Sequence, residues 1–257
     1  MQQDLVSIVT PLFNSGRFIA KTIESIQAQN YQNWELLITD DSSSDDSFDI
    51  ANSYAQNDNR IRVFRLDTNS GAGAARNNSI SKAKGRYIAF CDSDDRWLPN
   101  KLSTQLNILN ETGASIIYSS YLTCDETDKI TGIVVAFKKT TYKDILKDDR
   151  MGFLTCLYDT QKLGKVYMPL IRKRQDWGLK ILLLKKAKYA KGLVEPLAIY
   201  RIRKNSLSHN KYGLIKYNIG IYRDILKYNT LRAYCKFIFD FMPHYLYKKF
   251  RLKIINQ

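Results

Sequence analysis

Four short apolar runs alternate with three helix-like segments in the first part of the chain, and this rhythm constrains the fold more than any other feature. The runs have the length and the β-branched or aromatic composition of buried strands. Strands that alternate with helices form βαβ units, so the pattern predicts an α/β fold with a Rossmann-like, mostly parallel sheet flanked by helices. The predicted strands are residues 5–10, 34–39, 61–66 and 87–91. In the second half of the chain, residues 115–121 and 133–137 are also predicted to be strands.

The fourth run ends in an acidic cluster, Asp92-Ser93-Asp94-Asp95. Neighbouring carboxylates repel one another, and a divalent cation is the usual reason for such a group at the end of a buried strand. Ligands of open α/β sheets bind beyond the carboxyl ends of the strands, where these acids fall. A cap for the next helix is the structural alternative.

Two other strand ends also carry polar groups. Asp40 and Asp41 precede a serine-rich turn. In the structural alternative Ser44 or Asp45 caps the helix that follows, and in the functional one a carboxylate accepts a hydrogen bond from a base such as uracil or from a ribose hydroxyl. The segment 71–76, GAGAAR, is a weak dinucleotide fingerprint because Arg76 occupies the third glycine position. Arg76 is expected either near a phosphate at the helix start or as an ordinary exposed arginine.

Charge is distributed unevenly in this chain of net charge +15. Residues 1–100 hold 10 Lys/Arg against 13 Asp/Glu, whereas residues 101–257 hold 30 against 12. The second half is therefore expected to face phosphates, an acidic membrane surface or nucleic acid.

The four cysteines lie far apart without a C-x-x-C pair, which argues against a zinc site or a disulfide framework. With no signal peptide and no apolar stretch of about 18 residues, a cytoplasmic location is expected.

Two motifs in the basic half bear on chemistry. Asp176 is the only acid between Asp159 and Glu195, and the basic residues 172–174 should keep it ionised. A first-turn acid favoured by the helix dipole is the structural alternative. The segment 201–209, RIRKNSLSH, is predicted to close over a donor diphosphate, to hold the phosphate of a lipid-linked acceptor, or to be a solvated loop.

The tail, residues 211–257, holds ten Lys/Arg against two Asp. Its apolar residues recur at helical spacing and predict a basic amphipathic helix. Such a helix either lies in the membrane interface, here the inner leaflet, or packs on the preceding domain. Lys236 and Asp240 exclude a transmembrane span. The apolar positions are Leu231, Tyr234, Phe237 or Ile238, and Phe241.

Six motifs in a fixed order resemble those of the family 2 glycosyltransferases with the GT-A fold. They are VSIVTPLFN, DDSSSD, NSGAGAARN, CDSDD, RQDW and YRIRKNSLS, and the resemblance covers roughly residues 4–210. In detail the chain is similar to bacterial enzymes that extend teichuronic-acid-type, O-antigen and capsule polysaccharides. The resemblance implies an inverting, metal-dependent transfer from a UDP-sugar to a hydroxyl of a saccharide linked to undecaprenyl diphosphate. It also implies a nucleotide-sugar half at 1–100, an acceptor half at 101–210 and a helical extension at 211–257.

Carried over residue by residue, the resemblance assigns roles to individual side chains. Asp176 would be the catalytic base, although Gln175 replaces the usual Glu before it. Pro11 and Phe13 would line the uracil, with Asp41 as its hydrogen-bond partner. Asp94 would be the direct metal ligand, and Asp92 would bind ribose or metal. The whole set is Pro11, Phe13, Asp40, Asp41, Arg76, Asp92, Ser93 and Arg201 for the nucleotide, and Asp92 and Asp94 for Mn²⁺ or Mg²⁺.

Two other classes of protein account for parts of the sequence. A phosphatase with Asp92 as nucleophile and Asp94 as acid would explain D-x-D but leaves the DDSSSD and RQDW motifs without a role. A nucleic-acid-binding protein would explain the positive charge but not the acids at the strand ends. The aromatic residues of this sequence also lack the repeated pattern on which successive bases would stack. The transferase accounts for all of these features. The sugar, the acceptor and the linkage position are not specified by any motif.

Overall fold

The computed structural model describes residues 4–203 and 214–246. The end of the RIRKNSLSH segment, the start of the tail and residues 247–257 lie outside these ranges. Within them, ten strands form one sheet with helices on both faces, which confirms the predicted α/β class.

The first four predicted strands and the helices between them are all present. The strands are β1 (Val6–Leu12), β2 (Trp34–Asp40), β3 (Ile61–Arg65), β4 (Tyr87–Phe90), β5 (Arg96–Trp97), β6 (Ile116–Cys124), β7 (Ile130–Val134), β8 (Lys139–Thr140), β9 (Leu157–Asp159) and β10 (Ala190–Arg201). The helices are α1 (Gly16–Gln27), α2 (Ser47–Asn57), α3 (Ala72–Lys82), α4 (Lys101–Thr112), α5 (Tyr142–Ile145), α6 (Thr160–Leu163), α7 (Gln175–Lys186), α8 (Leu214–Gly220) and α9 (Thr230–Lys236).

The strand order places a crevice at the centre of the sheet. Along the sheet the order is β3-β2-β1-β4-β9-β6-β10-β5, with β7 paired to β6 and β8 to β10. The first four strands are parallel, whereas β9 runs antiparallel to both β4 and β6, so the sheet as a whole is mixed. The chain passes from β1 outward to β2 and β3 and then returns to β4 on the other side of β1. This reversal is the point at which open α/β sheets bind ligands.

Alternating side chains of the buried strands supply two cores, one on each face of the sheet. On β1, Val9 packs with one core and Ile8 with the other, as the two-residue period of a strand requires. Ile19 and Ile23 of α1 cover the Ile8 side, and Trp177 of α7 belongs to the Val9 side. Helix α7 therefore brings its amino-terminal residues against the sheet.

The second half differs in detail from the sequence prediction. The strand predicted at 133–137 is β7, which ends at Val134, and Val135 and Phe137 are exposed after it. Strand β9 was not predicted, because three residues are too few to show a period. It nevertheless joins β4 to β6, so strands of both predicted halves form one continuous sheet.

Residues 214–246, the described part of the tail, form two helices. Helix α8 continues into a wider π-helical turn to Ile225, and α9 continues in the same way to Phe241. Tyr222 and Phe241 pack on Trp177 at ring-centroid distances of 6.1 and 5.5 Å, so this part of the tail docks on the domain. Leu231 and Phe239 remain 76% and 71% exposed. Within residues 4–203 and 214–246, every helix is too short or too polar to cross a bilayer.

Candidate active site

The carboxyl ends of β1 and β4 meet at one edge of the crevice. Pro11 lies buried within β1, and Phe13 follows the strand with 46% of its surface exposed. Asn14 comes next with a left-handed backbone (φ 44°), an uncommon conformation that occurs at turns and functional sites. The exposed ring of Phe13 is therefore available to a planar ligand at this edge.

The acidic loop that follows β4 is tied firmly to helix α1. The hydroxyl of Thr22 lies 3.0 Å from the carbonyl oxygen of Ser93 and 2.8 Å from that of Asp95. The Ser93 hydroxyl donates to the Ser15 hydroxyl at 3.1 Å, and Ser93 is buried. Ser93 thus holds the loop shape through its contact with the start of α1.

Arg76 crosses from α3 to the acidic loop. Its guanidinium donates to Asp92 Oδ1 at 2.5 Å and lies over the ring of Phe153 at 5.1 Å. Arg76 is only 8% exposed, so the alternative of an ordinary surface arginine is wrong. Its Nε is buried without a hydrogen-bond partner within the described part of the chain. The site therefore contains a buried cation with an unused donor beside Asp92.

Asp94 and Asp95 carry more negative charge than their surroundings balance. Arg203 lies 3.3 Å from Asp94 Oδ2, and the backbone N–H of Arg201 donates to Asp95 Oδ1 at 3.0 Å. Burial and repulsion from Asp92 raise the pKa of Asp94, and burial together with Asp94 and Asp92 raises the pKa of Asp95 well above its usual range. The second oxygen of Asp95, Oδ2, is buried with no hydrogen-bond partner among the described residues.

This acidic loop fits a divalent cation that shares its ligands with a substrate. Its hard carboxylate oxygens match Mg²⁺ or Mn²⁺, and a cation would relieve the repulsion that raises the pKa of Asp94. The described residues contain no group of three His, Cys, Asp or Glu arranged to hold an ion by themselves. Mg²⁺ sites of one or two carboxylates that are completed by substrate phosphates have this composition.

Asp40 and Asp41, at the end of β2, are both buried and already bonded. Asp40 accepts from the backbone N–H of Ser43 at 3.1 Å and lies 3.2 Å from Arg65 Nε. Asp41 accepts from the N–H groups of Ser70 and Gly71 at 2.7 and 2.8 Å, and these residues open α3. Asp41 thus shapes the loop before α3, and its role toward uracil stays a prediction.

Arg201, at the end of β10, is buried rather than presented to a ligand. Its guanidinium donates to the carbonyl oxygens of Asp94 and Asp125 at 3.0 and 2.9 Å and to Asp128 Oδ1 at 2.5 Å. The side chain is 1% exposed. In this structure Arg201 therefore secures the acidic loop from behind, whereas the prediction placed it on the donor diphosphate.

Arg203 is the cation that reaches the open side. It pairs with Asp94 and also lines a cleft at the start of α1. Residues 204–209 of the same motif lie outside the described residues. The other residues that line the cleft are Asn14, Ser15, Gly16, Arg17, Phe18, Asp45 and Glu126.

Helix α7 brings Asp176 to the same edge of the sheet. Its first residue, Gln175, packs against Gly73 at the start of α3, where an added Cβ atom would lie 2.8 Å from the Gln175 amide carbon. Asp176 follows with its side chain 34% exposed. The amino-terminal ends of α3 and α7 are thus in contact, with Arg76 on one and Asp176 on the other.

A buried ammonium keeps Asp176 ionised. Lys180 Nζ lies 3.1 Å from Asp176 Oδ2, one helical turn away. Burial opposes ionisation, but attraction to Lys180, Arg174 and Arg76 lowers the pKa of Asp176 to about 2. The predicted effect of the basic residues before Asp176 is therefore correct in direction, while the nearest cation is one that the sequence prediction missed.

Sequence reasoning did not single out Asp149, Lys180 or Phe153. The spacing of Lys180 four residues after Asp176 was a usable signal, since such residues share a helix face. Asp149 gave no signal, because it lies in an irregular loop whose partner is fixed only by the tertiary structure. Phe153 likewise meets Arg76 across a long sequence separation.

Comparison with known protein sequences gives a consistent set of similarities. The family model described as "Glycosyl transferase family 2" matches residues 7–166. A putative teichuronic acid biosynthesis glycosyltransferase of Bacillus subtilis (strain 168), TuaG, is 39% identical over 230 residues, which are 89% of this chain and 91% of that protein. A UDP-Glc:alpha-D-GlcNAc-diphosphoundecaprenol beta-1,3-glucosyltransferase of Escherichia coli, WfgD, is 34% identical over 237 residues, 91% of each chain.

Solved structures show the same fold. S. aureus TarS 1–349 in complex with UDP-GlcNAc has a TM-score of 0.70 at 18% identity, over 90% of this chain and 69% of that one. The mannosyltransferase PcManGT from Pyrobaculum calidifontis, in complex with GDP-Man and Mn²⁺, has a TM-score of 0.67 at 12% identity, over 91% and 69%. These likenesses confirm the predicted GT-A architecture of the sheet and its flanking helices.

Proposed function

Because this chain belongs to glycosyltransferase family 2, as its motifs predict, we propose that it transfers a sugar from a UDP-sugar to a hydroxyl of a lipid-linked saccharide, with inversion at the anomeric carbon. Its relatives place it among the glycosyltransferases of bacterial surface polysaccharide synthesis. The observation that carries the proposal is the contact between the starts of α3 and α7. It brings an ionised carboxylate, Asp176, to the edge that also holds Arg76 and the acidic loop.

The donor site is proposed at the carboxyl ends of β1, β2 and β4. Phe13 offers an exposed ring on which uracil can stack, as bases do on aromatic side chains. Arg76 faces Asp92 with an unused buried donor, and Arg203 lies on the open side of Asp94. Both guanidinium groups suit diphosphate oxygens, which they bind through charge-assisted hydrogen bonds. Pro11 is proposed to line the uracil beside Phe13, and Asp41 to accept a hydrogen bond from it. Asp40, Ser93 and Arg201 shape the loops around the site.

A divalent ion is proposed at Asp94 and Asp92. When bound, such an ion neutralises charge on the diphosphate and on the UDP that leaves. The two carboxylates would provide the protein's share of its ligands. Arg203, which pairs with Asp94, would supply a further positive charge for the diphosphate.

Asp176 is proposed as the general base. Its low pKa keeps the carboxylate ionised at neutral pH, so it is able to accept the proton of an acceptor hydroxyl. The acceptor oxygen then attacks the anomeric carbon on the face opposite to UDP. One displacement inverts that carbon, so an α-linked donor gives a β-glycoside. The name of WfgD, a beta-1,3-glucosyltransferase that uses UDP-Glc, describes a product of this type.

The acceptor is proposed to be held at the inner leaflet of the membrane. The names of two relatives specify a GlcNAc-diphosphoundecaprenol acceptor, whose lipid remains in the bilayer. In this chain Leu231 and Phe239 are exposed on the helix that begins at Thr230, beside the basic residues Lys227 and Arg232. Exposed apolar side chains flanked by Lys and Arg are typical of helices that lie in an anionic membrane surface.

Sugar transfer tests the function directly. The purified protein is incubated with Mn²⁺, a short-chain polyprenyl-diphosphate GlcNAc and each of several UDP-sugars, and the product is analysed by mass spectrometry and NMR. We expect one UDP-sugar to give a β-linked disaccharide. A product with the donor's own α configuration would exclude inversion, and hydrolysis of phosphate esters without transfer would favour the phosphatase alternative.

Vesicle sedimentation tests the membrane location. We expect the protein to bind vesicles with phosphatidylglycerol at low salt, and the double variant Leu231→Ser, Phe239→Ser to bind several-fold more weakly. The matched control replaces two exposed apolar residues of the sheet, Ile130→Ser and Val194→Ser, and should bind as the parent does. Equal binding by both double variants, or no binding by the parent, would contradict the proposed surface.

A further inference from the structure

We propose that Lys180 and Asp149 are positioning residues for the base: the Lys180 ammonium holds the Asp176 carboxylate, and Asp149 balances that ammonium once Asp176 has taken a proton. The inference rests on the proposed function, in which Asp176 accepts the proton of the acceptor hydroxyl. It adds two residues that do not touch the reacting atoms but determine how readily the base takes up a proton.

The geometry of the ammonium carries this inference. Lys180 is 1% exposed, and its Nζ contacts three oxygens. Asp149 Oδ1 lies at 2.5 Å, Asp176 Oδ2 at 3.1 Å and the carbonyl oxygen of Met151 at 3.0 Å. Two of these contacts are hydrogen bonds, to Asp176 and to the carbonyl oxygen of Met151. The contact with Asp149 Oδ1, which is buried with no hydrogen-bond partner among the described residues, is an ion pair. Lys180 is thereby fixed between a carboxylate at the site edge and a carboxylate farther inside.

The other cations near the three residues contact at most one of the two carboxylates. Arg174 lies 3.9 Å from Asp149, and Arg76 is paired with Asp92. Lys180 is therefore the cation in direct contact with both carboxylates. The charged and titratable groups that face the cluster are Arg174 before α7, Arg76 on α3, Tyr121 on β6 and Cys156 before β9.

The proton balance of the reaction explains why two acids are needed. In the proposed step the acceptor O–H bond breaks and its proton moves to Asp176. The acceptor oxygen forms a bond to the anomeric carbon, and the bond between that carbon and the UDP oxygen breaks, with its electron pair leaving on UDP. Asp176 then becomes neutral. If Lys180 had no other partner, its buried ammonium would lose its counter-charge, which is strongly unfavourable. With Asp149 in contact, the ammonium keeps one carboxylate throughout.

The proton affinities agree with this division of roles. Burial raises the pKa of Asp149 to about 6 against the attraction of Lys180, whereas the pKa of Asp176 is lowered to about 2. Burial disfavours the charged form of Lys180, but Asp149 and Asp176 outweigh it and raise its pKa. Lys180 therefore stays charged when Asp176 is protonated.

Two variants separate these roles, and they should change the pH dependence in different ways. In Lys180→Met, two neighbouring carboxylates lack their cation, so the acidic limb of kcat/KM should move to higher pH by about 1 pH unit or more. In Asp149→Asn, Lys180 pairs with Asp176 alone, so the limb should not rise, while kcat should fall by roughly 10–100-fold because the protonated base leaves a buried ammonium unbalanced. The control, Lys185→Met, removes an exposed lysine of the same helix and should leave both readouts unchanged.

Two further readouts distinguish failure of this inference from failure of the proposed function. NMR of ¹³C-carboxyl-labelled aspartate should show the Asp176 carboxyl titrating at higher pH in Lys180→Met than in the parent, whether or not the protein is active. UDP binding, measured by calorimetry, should change less than about twofold in both variants. Should Lys180→Met fail to fold, the kcat of Asp149→Asn tests the inference by itself, and a kcat equal to that of the parent would overturn it.

Parent-like pH profiles and kcat in both folded variants, with Asp176→Asn inactive, would overturn the roles of Lys180 and Asp149 and leave the proposed function intact. An unmoved Asp176 titration in folded Lys180→Met would overturn them as well. Full activity of Asp176→Asn would instead contradict the base itself, and with it this inference.

Discussion

Two groups of aspartates lie at the same edge of the sheet, and they differ in how their negative charge is balanced. The acidic loop after β4 places Asp94 and Asp95 together, with Arg203 beside Asp94 and the Arg201 backbone N–H on Asp95. Asp95 Oδ2 is buried without a hydrogen-bond partner among the described residues. The cluster on α7 places Asp149 and Asp176 on either side of a buried ammonium, Lys180. The pKa values of Asp94 and Asp95 are raised, and that of Asp176 is lowered.

The difference separates two kinds of carboxylate chemistry. A group with excess negative charge favours the arrival of a cation, and a divalent ion with a diphosphate fits that need. A carboxylate with its own internal cation stays ionised without help, as a base at neutral pH must. The proposed enzyme needs both, one for the leaving group and one for the nucleophile.

The largest expected effect comes from the balanced cluster. Asp176→Asn retains the shape of the side chain but removes the proton acceptor, so kcat should fall by about 10²–10⁴-fold. UDP binding should remain, because Asp176 belongs to the acceptor side. Steady-state kinetics and calorimetry measure the two effects. The exposed tail variant Asp224→Asn is the control, and equal kcat in both variants would contradict the base assignment.

Arg76 pairs with Asp92 of the acidic loop and also attracts Asp176. Its removal should therefore increase the difference in charge balance between the acidic loop and the cluster around Lys180. Arg76→Met takes the ion-pair partner from Asp92 and leaves the acidic loop still more negative. UDP should then bind roughly 10–100-fold more weakly, since one charge-assisted hydrogen bond contributes about 1.5–3 kcal/mol. Arg76→Lys retains the charge without the planar fork and should recover part of the loss. Unchanged UDP affinity in Arg76→Met would place the diphosphate elsewhere.

The smallest expected effect is on stability at the acidic loop. Because the folded protein holds a proton on Asp95 more tightly than the unfolded chain does, folding takes up protons above the ordinary Asp pKa of about 4. The contribution of Asp95 to the free energy of unfolding therefore decreases as the pH rises from about 4 through the raised pKa of Asp95 in the folded protein.

Asp95→Asn should remove this dependence. The amide oxygen retains the bond from the Arg201 N–H, and the repulsion by Asp94 and Asp92 disappears. Without added metal at pH 7, Tm should rise by roughly 2–4 °C, the shift that about 1 kcal/mol produces in a chain of this size. Calorimetric melting between pH 4 and 8 measures it. A lower Tm with an unaltered pH dependence would show that Asp95 is well balanced as it stands.

Much of the fold could be predicted because local signals agree with it in the first half. Residues 87–91 are a continuous apolar run, and residues 34–39 are apolar apart from Glu35 and Thr39. The strands that they form are buried on both faces, and the polar residues after them mark the strand ends. Beyond β4, the three-residue strand β9 and the two-residue strands β5 and β8 carry no period, so only tertiary packing identifies them.

The candidate site residues also differ in how far local sequence could identify them. Asp94 and Asp176 stand out as acids after an apolar strand or within a basic segment, and local sequence is enough to select them. Arg201 looked equally suitable as an exposed cation, but its partners are the carbonyl oxygens of Asp94 and Asp125 and the carboxylate of Asp128. Such long-range partners leave no mark in one sequence.

Calorimetry of UDP binding, with and without Mn²⁺, tests most directly the claim that the acidic loop requires an external cation to bind a nucleotide. The measurement compares the parent with Asp94→Ala and with Asp67→Ala, which removes an exposed acid after β3. We predict UDP binding that depends on Mn²⁺ in the parent and in Asp67→Ala and that is lost in Asp94→Ala. UDP binding by folded Asp94→Ala at the parent's affinity, or binding by the parent that ignores Mn²⁺, would contradict the account.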